Sequence, residues 1–228
     1  MKELFFRAGI VLDEVQEERF LRYADLLTEY NEKFNLTAIT DRREIYEKHF
    51  LDSALGGAYL SAGAEVVDVG SGAGFPAIPL KILRPDLKIT MLDSLQKRVG
   101  FLNVVLQELG LAGIEAVHGR AEDFAKTNRE RYDYAVARAV APLDVLSEYC
   151  LPFVKVGGAF IAYKGRNAEE ELATATRAIE ILGGRETEVH AYALPSGDER
   201  AILTIKKGAP TPRKYPRGQN KPRTNPLR

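Results

Sequence analysis

The 228-residue chain contains no tryptophan, two methionines, three histidines and one cysteine. A lone thiol, Cys150, excludes an intrachain disulfide, and beside apolar Leu151 it reads as a core residue. His49, His118 and His190 are too scattered to complete a ligand set with it, so no metal site is expected. His118 and His190 fall in predicted strands and read as structural. His49 and Asp52 lie three apart on one helix face without a third ligand, which favours a hydrogen bond or a substrate-side role. No apolar run approaches the ~18 residues of a membrane-spanning helix, and no membrane contact is expected. Residues 1–7 are too few and too charged for a secretory signal; with the single cysteine this points to the cytoplasm. Net charge is lacking as well, 32 basic residues balancing 32 acidic ones. The balance hides an asymmetry: residues 1–60 carry 12 acids and 8 bases, whereas residues 206–228 carry 8 bases and no acid. A basic terminus of this kind suggests an acidic partner.

What is present is ordinary for a globular protein, 45% hydrophobic and 28% charged, in a length that suits one large domain or one domain with an appendage. The densest signal is Val66-Val67-Asp68-Val69-Gly70-Ser71-Gly72-Ala73-Gly74-Phe75-Pro76. Its first four residues read as a buried strand. Three alternate glycines follow, where a backbone can turn sharply and a ligand can approach the main chain. Pro76 suits the first turn of a helix. A strand, a glycine loop and a helix start together present backbone N–H groups to an anionic or strongly polar ligand. A dinucleotide loop wants G-x-G-x-x-G; here the spacing is G-x-G-x-G. The next predicted strand ends at Asp93, about 20 residues past the loop, where a carboxylate can accept from both hydroxyls of a ribose. The alternative reading, a purely structural glycine turn, does not account for that acid. The D-x-G-x-G form resembles S-adenosylmethionine methyltransferases more than nicotinamide enzymes.

The surrounding pattern predicts the architecture. From Asp13 to Lys33 an apolar stripe of Val15, Phe20, Ala24, Leu27 and Tyr30 has helical spacing, and Asp13 with Gln16 resembles a capping box. A second helix is expected from Asp41 to about Tyr59. These residues, 1–60, read as an N-terminal helical cap. Strands are predicted at 65–70, 88–92, 114–118, 132–137 and 159–163, alternating with helices at 76–83, 96–109, 142–150 and 168–182. Such alternation implies a mostly parallel sheet covered on both faces. Two last strands, about 187–193 and 200–206, follow each other without a helix and should pair antiparallel. The expectation is a Rossmann-like class I methyltransferase domain over 61–207, with a seven-stranded α/β sheet ending in an antiparallel hairpin. Residues 208–228 hold five prolines among lysines, arginines and asparagines; too apolar-poor to fold alone, they are expected to be a flexible tail, either solubilising or in contact with nucleic acid.

Several segments occur together in a recognisable order: Asn35-Leu36-Thr37-Ala38-Ile39, His49-Phe50-Leu51-Asp52-Ser53, the glycine loop, Gly119-Arg120-Ala121-Glu122, Ala137-Arg138-Ala139, Tyr163-Lys164-Gly165 and Glu199-Arg200. Over about residues 10–207 the sequence resembles the glucose-inhibited-division B family, the 16S rRNA guanine-N7 methyltransferases. The basic tail lies outside that pattern and inherits nothing from it.

The resemblance implies S-adenosylmethionine as cofactor. Gly70, Ser71, Gly72, Gly74 and Phe75 would form its loop, Asp93 would face its ribose, and Ala121 and Glu122 would sit at its adenine. Arg138, after the fourth strand, would pair with the methionine carboxylate or an RNA phosphate. Arg120, Lys164 and Arg200 match positions tied to RNA contact or activity. The implied partner is 16S rRNA or the small ribosomal subunit, not DNA, and nothing demands more than a monomer. Guanine N7 carries an in-plane lone pair and no proton, so no catalytic base is assigned. Since N7 lies on an edge that the A-form groove buries, the target base should be unpaired or extruded. Two rival readings remain: a methyltransferase acting on a protein or small metabolite, and a noncatalytic RNA-binding assembly protein that keeps the fold.

Overall fold

The computed structural model describes residues 1–227. Five parallel strands and a terminal antiparallel pair form one sheet in the order β3-β2-β1-β4-β5-β7-β6. β1 (Glu65–Val69) pairs parallel with β2 (Lys88–Asp93) on one side and with β4 (Tyr132–Arg138) on the other. β3 (Ile114–His118) lies outside β2, and β5 (Val154–Gly165) outside β4. β7 (Glu199–Lys207) runs antiparallel between β5 and β6 (Gly184–Ala193). The strand order therefore reverses between β1 and β4, and open α/β sheets bind ligands at the carboxyl ends beside such a switch point.

Side-chain alternation along the central strands sorts the interior into two clusters. Val66 belongs to the cluster beneath the N-terminal helices, with Phe20, Tyr23, Phe50, Ile78 and Phe101. Val67 and Val69 belong to the other, with Leu146, Phe153, Phe160 and Leu203. Each such fully buried side chain contributes about 1.5–3 kcal/mol relative to exposure.

The first cluster is roofed by α1 (Lys2–Arg7), α2 (Glu14–Phe34), α5 (Ala77–Leu83) and α6 (Gln96–Glu108). Asp13 and Gln16 make both bonds of the expected capping box. Phe20, Ala24 and Leu27 are buried as the stripe predicts, but Val15 at the helix start stays 55% exposed. The second expected helix is a relay of short forms: α3 (Arg42–Glu44), a π-helical turn Ile45–Leu51, α4 (Asp52–Leu55) and a 3-10 turn Gly56–Tyr59. A row of rings ties the roof to the glycine loop. Phe5 meets Phe20 at 5.2 Å, Phe20 meets Phe50 at 5.2 Å, and Phe50 stacks on Tyr23 at 5.0 Å between centroids. Phe75 of the loop lies 5.5 Å from Tyr23 and stacks on His49 at 4.5 Å.

The second cluster is covered by α7 (Ala121–Phe124), α8 (Leu143–Cys150), α9 (Ala168–Ile181) and the C-terminal segment. Here the expected flexible tail is corrected. Tyr215 and Thr211 are buried, and Arg129 donates to the carbonyls of Pro212 and Tyr215 at 2.9 and 2.6 Å. Arg217 grips Glu148 through Nε and Nη2 at 2.9 and 2.6 Å, with Glu148 only 1% exposed. The segment need not fold alone, because the flank of α8 supplies the apolar surface and the buried acid that its own sequence lacks. It ends in a short turn, α10 (Lys221–Thr224).

Candidate active site

The loop after β1 is shaped by what surrounds it. Gly70 has φ +78°, and a Cβ there would stand 2.8 Å from Val140. Gly74 has φ +98°, and a Cβ there would meet Ile78 and the Tyr23 hydroxyl. The Tyr23 hydroxyl itself donates to the Ala73 carbonyl at 2.5 Å. The first and third glycines thus let the turn after β4 and the helical roof close on the loop, and the roof is part of the site's construction.

Asp93 ends β2, 3% exposed. Its Oδ2 accepts from the Gly72 N–H and its Oδ1 from the Leu95 N–H, both at 2.9 Å. A carboxylate has about four acceptor sites, so each oxygen retains capacity for a ribose hydroxyl. Asp68 is fully buried below the loop, and neither of its carboxyl oxygens has a hydrogen-bond partner among the described residues. Burial pushes it up to about 8, against the opposing pull of nearby Ser71, the Ala77 N–H and Arg138.

Three cavities adjoin at this edge of the sheet. Gly70, Ser71, Gly72, Phe75, Asp93 and Arg138 line one of about 430 Å³. Gly74 does not line it; it is packed beneath. Gly70, Arg120, Ala121, Glu122 and Tyr149 line a second, of about 120 Å³. Lys48, Asp52, Arg138, Lys164, Glu171 and Arg200 line a third, of about 570 Å³. The sequence grouped Arg120 with Lys164 and Arg200. The structure separates them: Arg120 lies beside Glu122, 3.7 Å away, while Lys164 and Arg200 lie beyond the switch point.

Arg138 stands between the first and third cavities and already has partners. It donates to Asp52 Oδ2, to the Lys48 carbonyl and to His49 Nδ1, each at 3.0 Å, and lies 4.8 Å over the Phe75 ring. The Arg138 bond makes His49 Nδ1 an acceptor, which assigns the ring proton to Nε2, 2.8 Å from the Thr37 hydroxyl. Burial first, then the Arg138 charge, lowers His49 to about 3. It is a neutral spacer with both nitrogens engaged. Asp52 Oδ1 accepts from the Tyr192 hydroxyl at 2.7 Å. Lys164 donates to the Ala141 carbonyl at 2.8 Å and to Glu171 at 2.7 Å. Ala139, next to Arg138, sits at φ +56°, a left-handed conformation that costs a non-glycine residue about 1–3 kcal/mol. This strained turn faces both cavities.

The arrangement fits a nucleoside that carries an amino-acid arm. Asp93 has free acceptor capacity, Ala121 and Glu122 border a narrow slot, and the loop leads from there toward the orphaned Asp68 and Arg138. Residues 16–202 match the family described as GidB, rRNA small subunit methyltransferase G. The chain is 52% identical over 225 residues to the ribosomal RNA small subunit methyltransferase G of Alkaliphilus metalliredigens, spanning 96% of this chain and 94% of that one. The chain belongs to the rRNA small subunit methyltransferase G family. A Leuconostoc mesenteroides protein of the same name is 48% identical across 99% of this chain and 97% of its own, so likeness to the family runs into the C-terminal segment. Among solved structures, cofactor-bound Rv0187 from MTB superposes with a TM-score of 0.61 at 19% identity, covering 91% of this chain and 96% of that one. A SAM-dependent methyltransferase from Aquifex aeolicus gives 0.54 at 18% identity over 72% of this chain and 93% of that one. These likenesses show the class I methyltransferase fold. Within the family's match, sequence reasoning singled out the loop, Asp93 and Arg138. It gave no site role to Thr37, Lys48 or Glu171.

Proposed function

We propose that the protein transfers a methyl group from S-adenosylmethionine to N7 of a guanine in 16S rRNA, in the loop of the decoding centre. Membership of an rRNA methyltransferase family supports the reaction class. The observation that carries the rest is the junction at Arg138-Ala139-Val140, where the glycine-loop cavity meets the larger cationic one. The cofactor supplies an electrophilic methyl group on a sulfonium centre. The loop glycines, Asp93, Ala121 and Glu122 would hold it, beside the junction with the larger cavity.

The larger cavity receives the base. Lys48, Arg138, Lys164 and Arg200 give it positive charge for a phosphate-bearing strand; Asp52 pairs with Arg138 and Arg200, Glu171 with Lys164, and Glu44 with Lys48. A cavity of this depth admits an extruded or unpaired nucleotide, not a base in an A-form groove. Guanine N7 attacks with its own lone pair, so the protein has no proton to remove. His49, the one imidazole here, is held neutral with both nitrogens committed, which suits a framework rather than a base. Rate then comes from alignment of N7 with the methyl carbon and exclusion of water. Positive charge passes to the guanine ring, and the carboxylates of Asp52 and Glu171 lie on the side where it arrives. Arg120, in the cofactor slot, meets RNA only at the rim of that slot. With ribosomal RNA as substrate, a cytoplasmic location and action as a monomer belong to the same reading.

The test is incubation with methyl-labelled S-adenosylmethionine and small-subunit rRNA lacking native modification, free and as an assembled subunit. Nucleoside mass analysis and mapping should return one N7-methylguanosine in the decoding-centre loop. Label on another atom or in another loop refutes the target; label on protein or metabolites alone refutes the substrate class.

A further inference from the structure

The slot beside Ala121 and Glu122 has a wall from the last residues of the chain. Asn220 and Arg223 border it together with Tyr149 of α8. Arg223 also borders the glycine-loop cavity, beside Asp93 and Arg98. It shares this double position with Gly70, Ser94 and Val140 alone among the residues lining the two cavities. Its guanidinium donates from Nη2 to the Val140 carbonyl at 3.0 Å and lies next to the Tyr149 hydroxyl.

The position is built. Upstream, the Arg217–Glu148 pair and buried Tyr215 fasten the segment to α8. Asn220, at φ +58°, then turns the chain back so that α10 lies against α8 at the mouth of the slot. Val140, the residue that Arg223 holds, is the one whose side chain forbids a Cβ on Gly70. The segment is thereby coupled to the glycine loop through a single residue.

We propose that the C-terminal segment is part of the S-adenosylmethionine site, with Arg223 laying its guanidinium against the adenosine of the cofactor. The proposal rests on reading this slot as the adenosine site. A guanidinium is planar and weakly hydrated and stacks on aromatic faces, and its partners here among the described residues, the Val140 carbonyl and the Tyr149 hydroxyl, occupy only part of its five-donor fork. Arg213, Lys214 and Lys221 of the same segment are exposed; among the segment's described cations Arg223 alone lines the two cavities. Charge composition made the whole tail look like an RNA-binding arm. The geometry divides it: Arg223 at the cavities, Arg217 anchored to Glu148, and Arg213, Lys214 and Lys221 exposed.

The experiment measures binding of S-adenosylhomocysteine and of 5′-methylthioadenosine, which shares the nucleoside and lacks the amino-acid arm, by calorimetry on the full chain. Arg223→Ala should weaken both by a similar factor, about tenfold, because the lost contact is with the base. A second variant ending at residue 218 keeps the Arg217–Glu148 anchor and should lose the same factor. The ligand-free unfolding midpoint of Arg223→Ala should match the unaltered chain, since Arg223 is exposed there, whereas the shortened chain also loses buried Pro222 and should unfold somewhat earlier. Unchanged binding in the variants overturns the proposal, and so does tighter binding, which would make the segment a plug. Loss of rRNA affinity with normal nucleoside binding also overturns it, moving Arg223 to the RNA side. If the unaltered chain binds neither ligand, the reading of the slot itself fails.

Discussion

His49 offers a sharp electrostatic test of the site. Its folded value of about 3 lies far below the ordinary 6.5. As pH falls below 6.5 the unfolded chain takes up a proton that the folded chain refuses. The neutral imidazole therefore contributes stability that is complete above 6.5 and is lost as pH falls toward 3. At about pH 5 the loss is about 2 kcal/mol, at 1.36 kcal/mol per unit. His49→Phe keeps the stack on Phe75 but removes the proton site and the bonds to Thr37 and Arg138. Losing one neutral and one charge-assisted hydrogen bond should cost about 3 kcal/mol, independent of pH. The variant's deficit against the unaltered chain should then shrink by about 2 kcal/mol between about pH 7.5 and pH 5. Urea denaturation at the two pH values measures this directly, with m-values checked for constancy. A deficit equal at both pH values would refute the argument that Arg138 and burial hold the ring neutral.

Asp68 titrates in the opposite sense: raised to about 8, it contributes stability that is full below 3.8 and lost as pH rises toward 8. Asp68→Asn should gain on the unaltered chain by about 1.4 kcal/mol per pH unit across that window in the same urea assay; a flat difference would sink the assignment. Asp52→Ala leaves Arg138 and Tyr192 without their shared acceptor and should cost about 3–5 kcal/mol of stability, together with methyl transfer; a loss under about 1 kcal/mol contradicts it. Arg217→Ala strands the buried Glu148 carboxylate, so residues 209–227 should become the first site cut in limited proteolysis, whereas an unchanged digestion pattern speaks against the anchor. With both substrates saturating, kcat should stay flat from about pH 6 to 7, below the Asp68 transition; a rise across that window would mean a base takes part.

The parts of this site that could be read from the sequence are those whose physics is local. The run Val66–Val69, the glycines and Asp93 are spaced by strand and turn geometry, and each lies where that geometry puts it. Arg120 was legible as a residue at a strand's carboxyl end but not as a residue apart from Lys164. Which side of β1 a strand joins is decided by crossover topology, and periodicity carries no record of it. His49 and Asp52 were visible as a helix-face pair, yet their true partner, Arg138, is 86 residues away from Asp52. The tail was misjudged for a related reason. Composition measures what a segment can bury within itself, and Tyr215 and Thr211 are buried, and Arg217 half-buried, by α8 and the β7 end instead. The relay of helical forms over residues 42–59 has no sequence signature that capping and periodicity would separate from one plain helix.

The row of rings from Phe5 to His49 also makes the protein an optical instrument. With no tryptophan in the chain, its ultraviolet emission comes from tyrosine alone. One indole placed beside the row, by changing Tyr46, whose ring lies against Phe50, to tryptophan (Tyr46→Trp), would be the molecule's only long-wavelength emitter. It would sit 6.0 Å from Phe50 and two rings from the glycine loop. Changes of ring packing as the loop closes on a ligand would reach it as shifts in intensity and colour, without a dye and without touching the site.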